Sequence, residues 1–222
     1  MFTIDVFGDL ICPWCYIGGR RLKRAVDLAG GRTGAEFRIR HRAFELNPAM
    51  PPAGMDRRAY RSAKFGSWER SRQLDHGTVL AGRDDDVAFD YERIARTPNT
   101  RAGHRLIALA EHEAAAGAAM ADRLFAAYFA EGQDIGDVAV LARLGEGEGL
   151  APGVAERLDG PAPERAVRED EALAERLGLR GVPLFVVGER VFDGAVPVGQ
   201  LVEALEQQAG PRRAGAEGGW AR

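Results

Sequence analysis

The sequence predicts an α/β fold. A small sheet draws its strands from the two ends of the chain, and a large all-helical insertion separates its second and third strands. Three observations predict this. Runs rich in β-branched and aromatic residues occur at positions 2–7, 37–44 and 182–192. The span between the last two, from about Asp56 to Gly178, repeats its apolar residues at helical spacing. The chain has 222 residues, 45% hydrophobic and 28% charged, which is enough for a buried core without disulfide staples. The expected organisation is a discontinuous sheet domain at 1–55 and 179–210, an inserted helical domain at 56–178 and a flexible tail at 211–222.

Each element has its own justification. Positions 2–7 alternate as a strand, and 8–11 form a short connection. Pro13 suits a first helical position, where a missing N–H costs nothing. Ile17, Leu22, Ala25, Val26 and Ala29 then share one helical face until Gly30-Gly31, which reads as the stop. Phe37, Ile39 and His41 alternate in a second strand with a basic outer face, and His41 reads as a strand residue rather than a catalyst. Glu45-Leu46-Asn47-Pro48 and Pro51-Pro52 end it. The clearest inserted helices are 100–116, 118–131, 137–144 and 163–177, with Asn99 or Thr100 able to cap the first. Positions 145–149 and Gly153 read as loops. Arg83-Asp84-Asp85-Asp86 reads as a solvated turn. The continuous apolar run 182–187 is a buried strand. Gly188-Glu189-Arg190 turns into an antiparallel partner at Val191-Phe192, and Pro197 opens a last helix carrying Val198, Leu201, Val202 and Leu205 on one face.

Several function classes are disfavoured. Thirty Lys+Arg against 33 Asp+Glu leave a net charge of −3, which gives no electrostatic reason to bind nucleic acid. The N-terminus has no basic region followed by an apolar stretch, and no window approaches the ~18 apolar residues of a membrane span. The expected location is the cytoplasm, where thiols stay reduced. The four histidines are scattered and a second cysteine pair is missing, so no metal site is expected.

The two cysteines, Cys12 and Cys15, stand in Cys12-Pro13-Trp14-Cys15 between the first strand and the first helix. A disulfide closing so short a loop removes little chain entropy, so stapling is a poor explanation. A redox dithiol is the better one. Cys12 falls at the helix N-cap as the exposed attacking sulfur, where first-turn N–H groups and the positive end of the helix dipole favour thiolate. Cys15 lies one turn inside, within reach to resolve a mixed disulfide. Pro13 and Trp14 bring no charge to the thiolate, which predicts a pair less oxidising than the strongest dithiol oxidants. Trp14 is expected to pack partly buried beside the pair and to modulate access.

Cys-Pro-Trp-Cys at the first helix and Gly181-Val182-Pro183 at the later strand resemble the thioredoxin fold of the DsbA family. Further matching stretches are Phe44-Glu45-Leu46-Asn47-Pro48, Lys64-Phe65-Gly66, Pro98-Asn99-Thr100, His104-Arg105-Leu106 and Ala127-Tyr128-Phe129. The likeness runs over 2–208 and is strongest to the cytoplasmic FrnE-like branch, related to 2-hydroxychromene-2-carboxylate isomerases and kappa-class glutathione transferases. It implies a thioredoxin-like fold and a cis Pro183 facing the dithiol, with the Val182 backbone turned toward substrate. It also implies that Asn99, Thr100 and His104 line a pocket and that Tyr60, Lys64, Phe65 and Trp68 flank a groove. Plainer roles are a helix cap for Asn99 or Thr100, a satisfied core histidine for His104 and core packing for Phe65. The isomerase and transferase relatives carry serine where this chain has Cys12, which points toward thiol–disulfide exchange. The expected function is therefore a cytoplasmic thiol–disulfide oxidoreductase needing no metal or organic cofactor, with glutathione as a conceivable co-substrate. Its partners would be proteins or small thiols that carry thiols or disulfides, with no nucleic acid and no membrane; oligomeric state is open. Two alternatives stand beside it. One is a glutathione-dependent isomerase or transferase acting on a small aromatic substrate; the other is a chaperone-like polypeptide binder.

Overall fold

The computed structural model describes residues 1–210; the tail expected at 211–222 lies outside the described residues. Strand β1 (Phe2–Gly8) leads through a short loop into helix α1 (Pro13–Thr33), which returns the chain to β2 (Phe37–Ala43). The chain then forms β3 (Met55–Asp56), α2 (Arg57–Phe65), α3 (Trp68–Ala81) and β4 (Arg96–Thr97). Helices α4 (Arg101–Ala114), α5 (Gly117–Phe129), α6 (Val138–Gly147), α7 (Val154–Leu158) and α8 (Pro161–Arg176) follow. Strands β5 (Leu184–Val187) and β6 (Arg190–Asp193) and helix α9 (Val198–Ala209) close the described chain. The main sheet has the order β2-β1-β5-β6. β1 and β2 are parallel, with Phe2 opposite Phe37, while β5 and β6 are antiparallel to their neighbours.

Two apolar clusters divide the interior. Ile4 and Val6 of β1, Phe185 and Val187 of β5, Leu22 and Ala25 of α1, and Leu201 and Leu205 of α9 form the first. The second gathers Leu106, Leu124, Phe125, Phe129 and Leu141 from the inserted helices, and it also takes in Leu10, Cys12, Cys15 and Tyr16. The start of α1 is thus buried against the insertion, and the rest of it against the sheet.

Three local expectations need correction. Helix α1 does not stop at Gly30-Gly31. It runs on to Gly34, whose φ of 72° and N–H bond to the Gly30 carbonyl (2.8 Å) make the actual terminus. Helix α6 continues through Gly145–Gly147, because Gly145 is a close-packing position: a Cβ there would lie 2.9 Å from Leu106 Cδ1. The insertion is not wholly helical, since β3 and β4 pair as a two-stranded ribbon. Two-residue strands are too short to show a period in sequence. The basic outer face of β2 is present as expected, and its arginines are paired with acids. Arg40 and Arg42 both hold Asp5, Arg42 also holds Asp170, and Arg38 holds Glu111. Burial works to raise the Asp5 carboxyl, but the two guanidiniums more than offset it and hold it below the usual carboxylate range.

Candidate functional site

Cys12 is the N-cap of α1, in extended backbone (φ −92°, ψ 110°), and Pro13 occupies the first turn. Its carbonyl accepts from Cys15 N–H at 3.0 Å and from Tyr16 N–H at 3.3 Å, so the helix starts on the first cysteine. No first-turn N–H caps the Cys12 sulfur, contrary to expectation. The thiol instead faces the Val182 carbonyl at 3.6 Å. The Val182–Pro183 bond is cis, and the loop that carries it lies against Cys12. Both thiols are free. Cys12 was expected to be exposed and is mostly buried: 6% of its surface is open, against 3% for Cys15. Of the two residues, Cys12 is the more accessible. Trp14 is the exposed neighbour, at 43%, more open than the partly buried ring that was expected.

Burial, and then the Cys12 sulfur beside it, push the Cys15 thiol up; a backbone hydrogen bond from Asp9 works the other way. Close approach of α1 to the cis-proline strand requires Gly18. A Cβ there would stand 2.8 Å from Phe185 Cζ and 3.1 Å from Pro183 Cγ.

Sequence reasoning missed a buried polar cluster behind Cys15. Asp9 is fully buried; Oδ2 accepts Leu46 N–H at 2.7 Å, while Oδ1 has no hydrogen-bond partner. Oδ1 faces His104 Nε2 at 3.5 Å, and both His104 ring nitrogens are likewise unpartnered. The His104 ring stacks on His41 at 6.0 Å between centroids. His41 in turn reaches Gly8, where a Cβ would lie 3.2 Å from His41 Cε1 and 3.5 Å from Cys15 Sγ. Burial, with the charge of His104 second, lowers the His41 imidazole to about 3. The signals available in sequence were an aspartate just before the cysteines and the resemblance that named His104 as a pocket residue; that these meet each other and His41 was not legible, because the histidines lie far along the chain.

The remaining predicted residues fall as follows. The Asn99 amide donates to the Met50 carbonyl at 2.8 Å, and its Oδ1 accepts Arg101 N–H at 3.0 Å. Asn99 therefore caps α4. Thr100, the other expected cap, makes no capping bond and is buried. Tyr60 and Lys64 both bond to Asn47, at 2.5 and 3.2 Å. Phe65 lies under the Arg61 guanidinium. Trp68 lines a cavity of about 360 Å³ with Arg57, Asp75 and Tyr91, and neither cysteine reaches it. A larger cavity of about 650 Å³ does reach the dithiol: Gly8, Cys15, His41, Phe125 and Arg20 line it. Among the described residues no group of three His, Cys, Asp or Glu side chains could hold a metal ion, and no helix is long and apolar enough to cross a membrane.

Comparison with known proteins adds to this geometry. The family model described as a DSBA-like thioredoxin domain matches residues 3–206. The uncharacterized protein YwbO of Bacillus subtilis is 26% identical over 224 residues, spanning 92% of this chain and 96% of that one. The structure of a probable DsbA oxidoreductase from Streptomyces coelicolor superposes with a TM-score of 0.83 at 28% identity, covering 97% of this chain and 93% of that one. The cytosolic disulfide reductase DsbM of Pseudomonas aeruginosa, solved with GSH, superposes with a TM-score of 0.63 at 23% identity over 93% and 95% of the two chains. At that identity the likeness is one of fold.

Proposed function

Because the chain belongs to the DSBA-like thioredoxin domain family, we propose that it is a thiol–disulfide oxidoreductase working through Cys12 and Cys15. The observation that carries this is the pair of free cysteines at the start of α1, the more open one facing the Val182 carbonyl at 3.6 Å.

In the reducing direction, the Cys12 sulfur attacks one sulfur of a substrate disulfide. That S–S bond breaks, one substrate thiolate leaves, and Cys12 carries the other half as a mixed disulfide. Cys15, having lost its proton, attacks the Cys12 sulfur. The Cys12–Cys15 bond forms and the second substrate thiolate leaves. Two electrons pass from the dithiol to the substrate, and the reverse sequence oxidises a substrate dithiol. The dithiol supplies both electrons, so the reaction needs no metal or organic cofactor. Val182 and Pro183 shape the substrate face, Trp14 covers its rim, and Asn99 and His104 support the elements behind it. The cytoplasm is the compartment this reading favours. Glutathione, present in the Pseudomonas aeruginosa reductase structure, is the small thiol to try first as partner.

Insulin reduction driven by dithiothreitol tests the proposal. Wild type should catalyse it and Cys12→Ser should not. Cys15→Ser should stall as mixed disulfides that can be captured and identified. Unchanged activity in Cys12→Ser would remove the central role. Turnover of a small aromatic substrate with glutathione, surviving Cys15→Ser, would point to isomerase or transferase chemistry instead.

A further inference from the structure

The cavity of about 360 Å³ beside Trp68 has no part in thiol exchange, since neither cysteine lines it. One wall is the start of α2. Another is a face of α3, on which Trp68, Arg72, His76 and Val79 recur every three or four residues. Three arginines open onto the cavity: Arg57 and Arg58, the first two residues of α2, and Arg72. Arg57 differs from the other two, because it is only 4% exposed. Its guanidinium lies 5.4 Å from the Trp68 ring and 5.2 Å from the Tyr91 ring, and Arg58 also lies over Trp68, at 5.9 Å. Stacking of this kind fixes the plane of a guanidinium and leaves its N–H edge free.

Donors are in excess here. A guanidinium carries five N–H groups, and the Arg57 side chain spends one, on Asp75 at 2.6 Å. Buried polar groups are normally satisfied, so the rest of this fork calls for a partner. Among the described residues, the side chains of Arg58 and Arg72 have no hydrogen-bond or ion-pair partner. The nearby acids are mostly engaged. Asp75 is shared between Arg57 and Arg61, at 2.6 Å each, and Asp56 caps α2 by accepting Ala59 N–H at 2.8 Å. Glu92 is the remaining carboxylate on the wall. With Arg61 included, four guanidiniums stand against three carboxylates, which leaves the site net positive.

We propose that this cavity binds a small phosphate monoester, with its phosphate held by Arg57, Arg58 and Arg72. A carboxylate has two oxygens and is filled by one bidentate fork. A phosphate monoester has three free oxygens and close to two negative charges at neutral pH, so it can use forks from two helices at once. The volume lies within the range of small-molecule sites, with room for more than the phosphate alone. Val79 and Ile94 offer an apolar wall to the organic part. Trp68 and Tyr91 are positioning residues, which hold the arginines in plane. The proposal does not rest on the thiol-exchange reading.

Calorimetric titration of the full-length protein with phenyl phosphate, inorganic phosphate and benzoate tests this, in about 0.1 M chloride to screen exposed charges. Phenyl phosphate should bind about tenfold more tightly than inorganic phosphate, through its buried ring, and at least about tenfold more tightly than benzoate. Arg58→Ala and Arg72→Ala, both at exposed positions, should each weaken phenyl phosphate by about tenfold or more. Cys12→Ser should bind it as wild type does, whatever becomes of its exchange activity. Absence of phenyl phosphate binding to wild type at about 10 mM overturns the proposal. Benzoate or inorganic phosphate binding as tightly as phenyl phosphate overturns the monoester assignment. Wild-type affinity in both arginine variants, or loss of binding in folded Cys12→Ser, overturns the placement of the site.

Discussion

Glu45 offers a quantitative check on how the insertion is fastened behind the site. Its side chain is 3% exposed, and Arg101 bonds it at 3.0 Å while also holding Glu164 and Glu171. Burial, and next a hydrogen bond shared with Glu171, push the Glu45 carboxyl up from 4.5 to about 7. The folded state therefore binds a proton that the unfolded chain has already released above about pH 4.5. With the folded value above the unfolded one, this group's contribution is greatest at low pH and is lost as pH rises through about 7. The gap of about 2.5 pH units corresponds to about 3 kcal/mol as an upper bound. Glu45→Gln mimics the protonated form at every pH. In urea unfolding at about pH 4 and pH 8, wild type should lose about 3 kcal/mol relative to the variant over that window. Parallel stability curves would refute the reasoning. So would a variant that loses ground at high pH, because Glu45 would then be an ordinary ionised partner of Arg101.

Further outcomes follow from other contacts. Iodoacetamide should modify Cys12 well before Cys15, because burial pushes the Cys15 thiol up; peptide mapping that found equal rates would contradict the assignment of roles. Gly18→Val places branched carbon where even a Cβ lies 2.8 Å from the buried Phe185 ring, so it should cost about 1–3 kcal/mol by urea titration and slow exchange. An unaltered midpoint would show that α1 can step away from Pro183. Asp75→Asn leaves Arg57 and Arg61, which it bonds at 2.6 Å each, without their anion in a largely buried setting. A loss of about 3–5 kcal/mol is expected, and thermal unfolding at or near the wild-type midpoint would contradict it.

The dithiol was legible because its signals are local. An alternating strand, a proline at the first turn and an amphipathic helix all lie within a few residues of Cys12. The cluster behind it was not legible, because His41 and His104 meet only after β2 pairs with β1 and α4 packs behind the sheet. His41 does sit in the strand as its alternation indicated, but alternation does not report what lies above a strand. Glycine misled in both directions. Gly30 and Gly31 were read as a stop and Gly145 as a loop, yet all three are helical and Gly145 is packed closely against Leu106, whereas Gly18 attracted no notice and proved to be a contact point. The exposure of Cys12 was also beyond local signals, since the Val182 carbonyl that faces it comes from the far end of the chain.

Helix α1 joins the two apolar clusters, and this constrains how the site can respond. Cys12, Cys15 and Tyr16 pack with Phe125 and Phe129 of the insertion, while Leu22, Ala25 and Ala29 of the same helix pack with the sheet and α9. The Tyr16 ring stacks on both phenylalanines, at 5.5 and 5.9 Å between centroids. A shift of α5 therefore acts on the first turn of α1, where both sulfurs sit, before it can act on the sheet. The cis-proline loop belongs to the other side of this arrangement, since it is carried by β5 and pressed on α1 through Gly18. The gap between Cys12 and Val182 is consequently set by two cores that meet only along one helix. Small repacking in either core should change access to Cys12 even where overall stability is preserved.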